Sequence, residues 1–213
     1  METLRITEIF YSIQGESNTV GHPTVFVRLT GCPLRCTYCD TAYAFSGGEQ
    51  LALDAIMQQV RQYKTRFVTV TGGEPLAQNA CHALLKLLAD EGYHVSLETS
   101  GAIDISKVDS RVIKVMDLKA PGSSEEHRNS YKNLDYLDTK DQVKFVLGCE
   151  NDYEWAKQKL TTYRLTERCE VLFSPVTGRM SPSELADRIL QDQLNVRFQV
   201  QLHKVLWGDV AGR

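Results

Sequence analysis

Seven short runs of mostly apolar and β-branched residues recur along the chain, at 24–29, 67–71, 94–98, 112–118, 142–147, 170–173 and 196–202. Short, nearly continuous apolar runs are what strands covered on both faces require. Helical patterns fill most of the gaps between them. Residues 51–63 place Leu53, Ile56, Met57 and Val60 on one face, and 79–90 do the same with Leu84, Leu85, Leu87 and Leu88. A third helix is expected over 153–162, capped by Asn151 or Asp152. A fourth begins at Ser181-Pro182-Ser183-Glu184, where a capping Ser precedes Pro at the first helical position and Glu at the third. Residues 123–137 are polar and lack a period, so they predict a long loop with one short helix. Strands that alternate with helices assemble a mainly parallel sheet. A closed eightfold barrel takes about 250 residues and eight strand–helix pairs. This chain of 213 residues with six or seven strands fits a shortened, partly open α/β barrel better. Residues 1–213 read as one domain, with 208–213 as a tail.

Composition narrows the class of molecule. Hydrophobic residues make up 42% and charged residues 24%, enough for an ordinary buried core. Lys plus Arg number 24 against 27 Asp plus Glu, a net charge of -3. Binders of nucleic acid or membrane surfaces rely on excess positive charge, so neither partner is expected. No apolar run approaches the ~18–20 residues of a membrane span. The start, METLRITEIFYSIQGE, has neither the basic opening nor the apolar centre of a signal peptide, and the cytoplasm is the expected compartment.

Six cysteines are too few for a disulfide scaffold, and three of them stand together. Cys32, Cys36 and Cys39 follow the first run directly. Ligands of such sheets sit at the carboxyl ends of strands, so this loop is where chemistry is expected. A tight loop brings three thiolates to one metal centre at little entropic cost. A structural zinc wants four ligands, and neither His22 nor Cys81 is near enough in sequence to complete the set. A [4Fe–4S] cube held by three cysteines leaves one iron open for a small ligand. Cys81, Cys149 and Cys169 are widely spaced and read as buried, inert thiols.

Three further segments add polar groups. Thr71-Gly72-Gly73-Glu74-Pro75 closes the second run. Alone it reads as a turn, but paired glycines allow close backbone approach to a ligand and Glu supplies an acceptor. Gln14 and Glu16 flank a flexible Gly15. Asp40 and Thr41 follow Cys39 as oxygen ligands for a hard cation such as Mg²⁺, or equally as plain loop caps. The last run ends in His203-Lys204, which a strand could deliver to the site.

C-x-x-x-C-x-x-C after the first strand, with T-G-G-E-P after the second, resembles the radical S-adenosylmethionine (SAM) enzymes. The resemblance implies a [4Fe–4S] cluster on Cys32, Cys36 and Cys39, with SAM's amino and carboxylate groups on the open iron. An electron then cleaves SAM to methionine and a 5′-deoxyadenosyl radical. Q-G-E, C-x-x-x-C-x-x-C-D-T, T-G-G-E-P and Q-x-Q-x-H-K-x-L-W together resemble, from near residue 6 to Trp207, the branch of that superfamily that forms 7-carboxy-7-deazaguanine.

That branch implies ring contraction of 6-carboxy-5,6,7,8-tetrahydropterin with release of ammonia, a step toward queuosine and related deazapurines. SAM would be reused, Mg²⁺ required, flavodoxin or ferredoxin the electron donor, and the protein a homodimer. Carried over position by position, the resemblance puts Thr41 on Mg²⁺. It puts Tyr38, Cys39, Asp40, Gly73, Glu74, Lys119, Ser174, Pro175 and Val176 on SAM. Ile13, Gln14, Gly15, Glu16, Arg28, Thr71 and His203 fall on the substrate, and Arg213 is the position whose terminal carboxylate would reach it. The rival readings are a small radical SAM activase of a glycyl-radical enzyme and, from another class, a non-enzymatic iron–sulfur or zinc protein.

Overall fold

The computed structural model describes residues 2–208, 210 and 212. In chain order the elements are β1 (Thr3–Ile13), β2 (Pro23–Leu29), β3 (Glu49–Ala52), α1 (Leu53–Val60), β4 (Phe67–Gly72), α2 (Cys81–Asp90), β5 (His94–Thr99) and β6 (Ile113–Asp117). They continue with β7 (Gln142–Leu147), α3 (Glu150–Tyr163), α4 (Leu165–Arg168), β8 (Glu170–Pro175), α5 (Pro182–Gln191), β9 (Arg197–Phe198) and α6 (Leu202–Trp207). The strands form one sheet in the order β3-β1-β2-β4-β5-β6-β7-β8-β9. From β2 to β9 every neighbour is parallel. The ends do not pair with each other, so the barrel is open.

Six of the seven predicted strands are present, the seventh survives as two residues, and two more precede or interrupt them. β1 pairs antiparallel with both β2 and β3. A bulge between Ile6 and Glu8 breaks its inside–outside alternation, which hides an 11-residue strand from a pattern reading. The last predicted strand is mostly not one. Only Arg197–Phe198 pairs with β8, and Leu202–Trp207 is helical. The Leu202 N–H donates to the Gly15 carbonyl (3.0 Å), which turns the chain off the sheet edge and toward the β1–β2 turn.

The strands are not apolar on both faces. Val25, Val27, Leu29, Val68, Val70, Val95, Leu97, Val143, Phe145, Leu147, Val171 and Phe173 join one core with the apolar faces of α1, α2, α3 and α5. The alternate residues, among them Arg28, Thr71, Glu98, Asp117 and Lys144, face a cavity inside the curl of the sheet. The period of two puts core on one side and chemistry on the other.

Local expectations at helix ends fare unevenly. Asn151 and Asp152 lie inside α3, whose flanking residue is Cys149. Asp152 is buried and accepts from the N–H groups of Gly122 (2.7 Å) and Gly148 (2.9 Å), tying the loop after β6 to the end of β7. Ser181 flanks α5 without a side-chain cap; its hydroxyl meets that of Ser183 instead. Leu87, expected on the apolar face of α2, is exposed at 36%. The stretch 123–137 holds two 3₁₀ turns, Glu126–Arg128 and Tyr131–Tyr136, rather than one helix, and a third, Pro121–Ser123, ends where it begins. Among the described residues no helix is long and apolar enough to cross a membrane.

Candidate active site

A cavity of about 650 Å³ opens at the carboxyl ends of the parallel strands. The cysteine loop forms one wall. It leaves β2 at Leu29 and is held against the end of β4 by backbone bonds from Gly73 N–H to the Leu29 carbonyl (3.2 Å) and from Glu74 N–H to the Gly31 carbonyl (2.8 Å). A Cβ at Gly72 would lie 2.4 Å from the Leu29 carbonyl oxygen, and one at Gly73 would lie 2.3 Å from that of Gly31. The two glycines are therefore required by this approach of β4 to the loop. On its far side the loop is fastened to the segment after β6. Thr37 N–H donates to the Ser123 carbonyl (3.1 Å) and its hydroxyl to that of Gly122 (2.8 Å).

Cys32, Cys36 and Cys39 are free, half-buried, and all line the cavity. Burial raises the Cys32 and Cys36 thiols, Cys36 to about 11, with the Lys119 charge opposing it at Cys36. Among the described residues no three His, Cys, Asp or Glu side chains are already drawn up around a metal position. The loop nevertheless offers three soft sulfur donors to the cavity. That set suits a [4Fe–4S] cluster with one open iron and does not suit a four-ligand structural zinc. Cys149, expected to be buried, is exposed; Cys81 and Cys169 are buried as expected.

The cavity also holds charged groups. Lys144 Nζ stands 2.7 Å from Glu16 Oε2 and 3.6 Å from Asp117 Oδ2, and Lys119 Nζ stands 3.0 Å from the same Asp117 oxygen. Burial disfavours the charged form of Lys144, but Glu16, Asp117 and Glu98 outweigh it and raise its pKa. Glu98 is raised by burial, with Glu16 adding to the effect and Lys144 opposing it, and it accepts from Thr71 Oγ1 (2.8 Å). Nearer the mouth, Arg28 Nε meets Glu8 (2.7 Å), which also accepts from the Tyr43 hydroxyl (2.7 Å). Asp40 accepts from Thr41 Oγ1 (2.7 Å) and Gln201 Nε2 (3.1 Å). Burial raises its carboxyl, but these bonds together with Lys204 and Lys144 hold it at about 2. His203 packs against Gly15, where a Cβ would come within 2.4 Å of Nδ1. Gly15 is the residue that lets α6 close over the β1–β2 turn.

The radical SAM superfamily model matches residues 26–119, a stretch holding the cysteine loop, the paired glycines and Lys119. A 7-carboxy-7-deazaguanine synthase of Chlorobaculum tepidum is 42% identical over 98% of this chain and 96% of its own. One from Thermoplasma acidophilum is 38% identical over 97% and 99%. The chain belongs to the 7-carboxy-7-deazaguanine synthase family of radical SAM enzymes. The crystal structure of QueE from Escherichia coli has the same fold, with a TM-score of 0.78, 22% identity, and coverage of 94% of this chain and 95% of that one. SuiB from Streptococcus suis, bound to S-adenosylmethionine, shares the fold more loosely, at a TM-score of 0.59 over 80% of this chain and 48% of its own.

Most of the residues that the family resemblance singled out meet in this cavity. Ile13, Gln14, Gly15, Glu16, Arg28, Tyr38, Asp40, Thr41, Thr71, Gly73, Lys119, Val176 and His203 line it beside the three cysteines. His203 arrives on α6, not at the end of a strand. Three residues stand back. The Glu74 carboxylate is fully buried and accepts from Thr99 and Ser100, so it anchors the turn to β5. Ser174 and Pro175 are buried in β8, and only Val176 beyond them reaches the cavity. Gln14 lines the cavity with its amide committed to the scaffold, donating to Thr69 Oγ1 (3.0 Å) and accepting from Glu16 N–H (3.1 Å). Arg213 lies outside the described residues, while Gly208, Val210 and Gly212 of the tail do line the cavity.

Sequence reasoning missed Glu98 and Lys144; it placed Asp117 at the start of a SAM-facing loop and Gln201 in the closing motif without giving either a role of its own. A signal existed: a lysine amid the apolar run Gln142-Val143-Lys144-Phe145-Val146-Leu147 must either reach solvent or find carboxylates.

Proposed function

We propose that the chain, acting as one domain over residues 1–213, converts 6-carboxy-5,6,7,8-tetrahydropterin to 7-carboxy-7-deazaguanine and ammonia. The observation that carries this reading is a three-thiol loop and a set of paired lysines and carboxylates lining one cavity, in a chain matched end to end by 7-carboxy-7-deazaguanine synthases. Held by Cys32, Cys36 and Cys39, the cluster together with SAM would supply the radical chemistry that acts at C6 of the pterin. Substrate equals product plus ammonia atom for atom, so no net electron is consumed, which suits reuse of SAM.

The chain's own residues bind and orient. Cys32, Cys36 and Cys39 hold the cluster, and Tyr38, Gly73, Lys119 and Val176 border the SAM side. Glu16, Arg28, Thr71 and His203 border the substrate side, where a guanidinium can pair with the pterin carboxylate. Thr41 and Asp40 supply hard oxygens at the same wall, the donor chemistry of a Mg²⁺ site. A flavodoxin or ferredoxin supplies the electron, the protein works as a homodimer in the reducing cytoplasm, and the product feeds queuosine or a related deazapurine.

The test is one anaerobic reaction of reconstituted protein with SAM, a strong reductant, Mg²⁺ and the pterin, followed by mass spectrometry. 7-Carboxy-7-deazaguanine forms, and Cys36→Ala abolishes it. 5′-Deoxyadenosine without that product would keep the radical chemistry and remove the pterin. Activity unchanged by chelation and by Thr41→Ala would remove Mg²⁺.

A further inference from the structure

Lys144 is the least expected residue of the cavity: an ammonium in the middle of a parallel strand, its side chain 12% exposed. It lies opposite Asp117 in the β6–β7 register. Glu16 reaches it from the β1–β2 turn, Glu98 faces it from β5, Asp117 from β6, Lys119 from the loop after β6, and Arg28 and Asp40 act from β2 and the cysteine loop. Both oxygens of Glu16 are fixed from different elements, Oε2 by Lys144 (2.7 Å) and Oε1 by Gln201 Nε2 (2.9 Å). Asp117 Oδ1 is buried with no partner among the described residues. A carboxylate has about four acceptor sites, so Glu16 keeps acceptor capacity after both bonds are made. Lys144 is the cation that meets both Glu16 and Asp117, and Lys119 meets only the latter.

We propose that Lys144 is a positioning residue for substrate recognition, holding Glu16 and gathering Glu16, Glu98 and Asp117 into an acceptor wall for the N–H-rich edge of an aminopyrimidinone ring. This rests on the pterin reading above. Lys144 itself donates to the wall and need not touch the substrate. Its loss would free the Glu16 carboxylate on one side and remove the charge that opposes the raised Glu98 carboxyl.

The experiment compares Lys144→Met and Lys144→Arg with the parent in the reconstituted holoenzyme. In Lys144→Met, KM for the pterin rises about tenfold or more, and the acid limb of the kcat/KM profile moves to higher pH. Formation of 5′-deoxyadenosine without pterin and the cluster's absorption spectrum are unchanged. Equilibrium binding of the pterin to SAM-free protein weakens by a similar factor, and Lys144→Arg recovers most of both losses. Lys144→Gln carries the same expectation and replaces the Met variant if that one does not fold. Unchanged KM and pH profile in a folded variant would overturn the proposal and leave the pterin reading intact. A parent that turns over no pterin would remove that reading and this one with it.

Discussion

Two buried lysines on neighbouring strands, Lys114 of β6 and Lys144 of β7, show how the same residue type serves two ends of one sheet. Lys114 meets Asp141 at 2.8 Å, with side chains 5% and 0% exposed. Asp141 is otherwise saturated by the N–H groups of Lys114 (2.8 Å) and Asp138 (3.0 Å). This is a closed unit that staples the entry of β7 to β6. Lys144 meets carboxylates from different elements, faces a cavity, and stands beside Asp117, whose second oxygen has no partner. A saturated ion pair is finished as structure, whereas one with acceptor capacity left over is prepared for something else. Burial alone does not separate them; completeness of bonding does.

The same substitution at both sites would break or sharpen this contrast. Lys114→Met leaves Asp141 an uncompensated buried charge, with Lys140 at 3.5 Å as a weak substitute. Loss of such a partner costs roughly 3–5 kcal/mol. Urea unfolding should show a loss of that size, with KM for the folded fraction unchanged. Lys144→Met should cost less stability, about 1–3 kcal/mol, because the cavity lets water or protons reach Glu16 and Asp117. If Lys144→Met were the more destabilising of the two, the cavity wall would be a structural staple as well. Gly15→Ala comes next. Its Cβ would enter His203, a side chain that can swing, so the cost is about 1–2 kcal/mol of strain. It should appear as weaker pterin binding, with β-sheet stability nearly constant in thermal unfolding.

The sequence made one side of this contrast readable and hid the other. The outward-facing residues of β2, β4, β5, β7 and β8 are Val, Leu and Phe, and their density marked the strands correctly. The inward residues between them were absorbed into the same apolar runs, so Glu98 and Lys144 passed as incidental. The cysteine loop and Gly72-Gly73 were legible because loops that ligate or cross closely need particular residue types at fixed spacing. β1 was not, since its bulge at Ile6–Glu8 disrupts the alternation that would have announced it. α6 was not either: its direction depends on a bond from Leu202 to Gly15, some 187 positions apart, which no local pattern contains.

The smallest effect tests the cavity end by pH. Glu98 has its carboxyl raised above 4.5 by burial, with Glu16 beside it and Lys144 opposing. Below about 4.5 both folded and unfolded chains hold its proton, and Glu98 contributes nothing to the pH dependence. As pH rises through that value the unfolded chain releases its proton first, which favours unfolding until folded Glu98 ionises in turn. Glu98→Gln lacks this penalty and can still accept the hydrogen bond from Thr71. The stability of Glu98→Gln relative to the parent should therefore climb above pH 4.5 and level off where folded Glu98 ionises, as read by urea titrations of cluster-free protein at several pH values. A difference that stays flat across that range would mean Lys144 fully offsets burial at Glu98. The wall would then be as closed, electrostatically, as the Lys114–Asp141 pair.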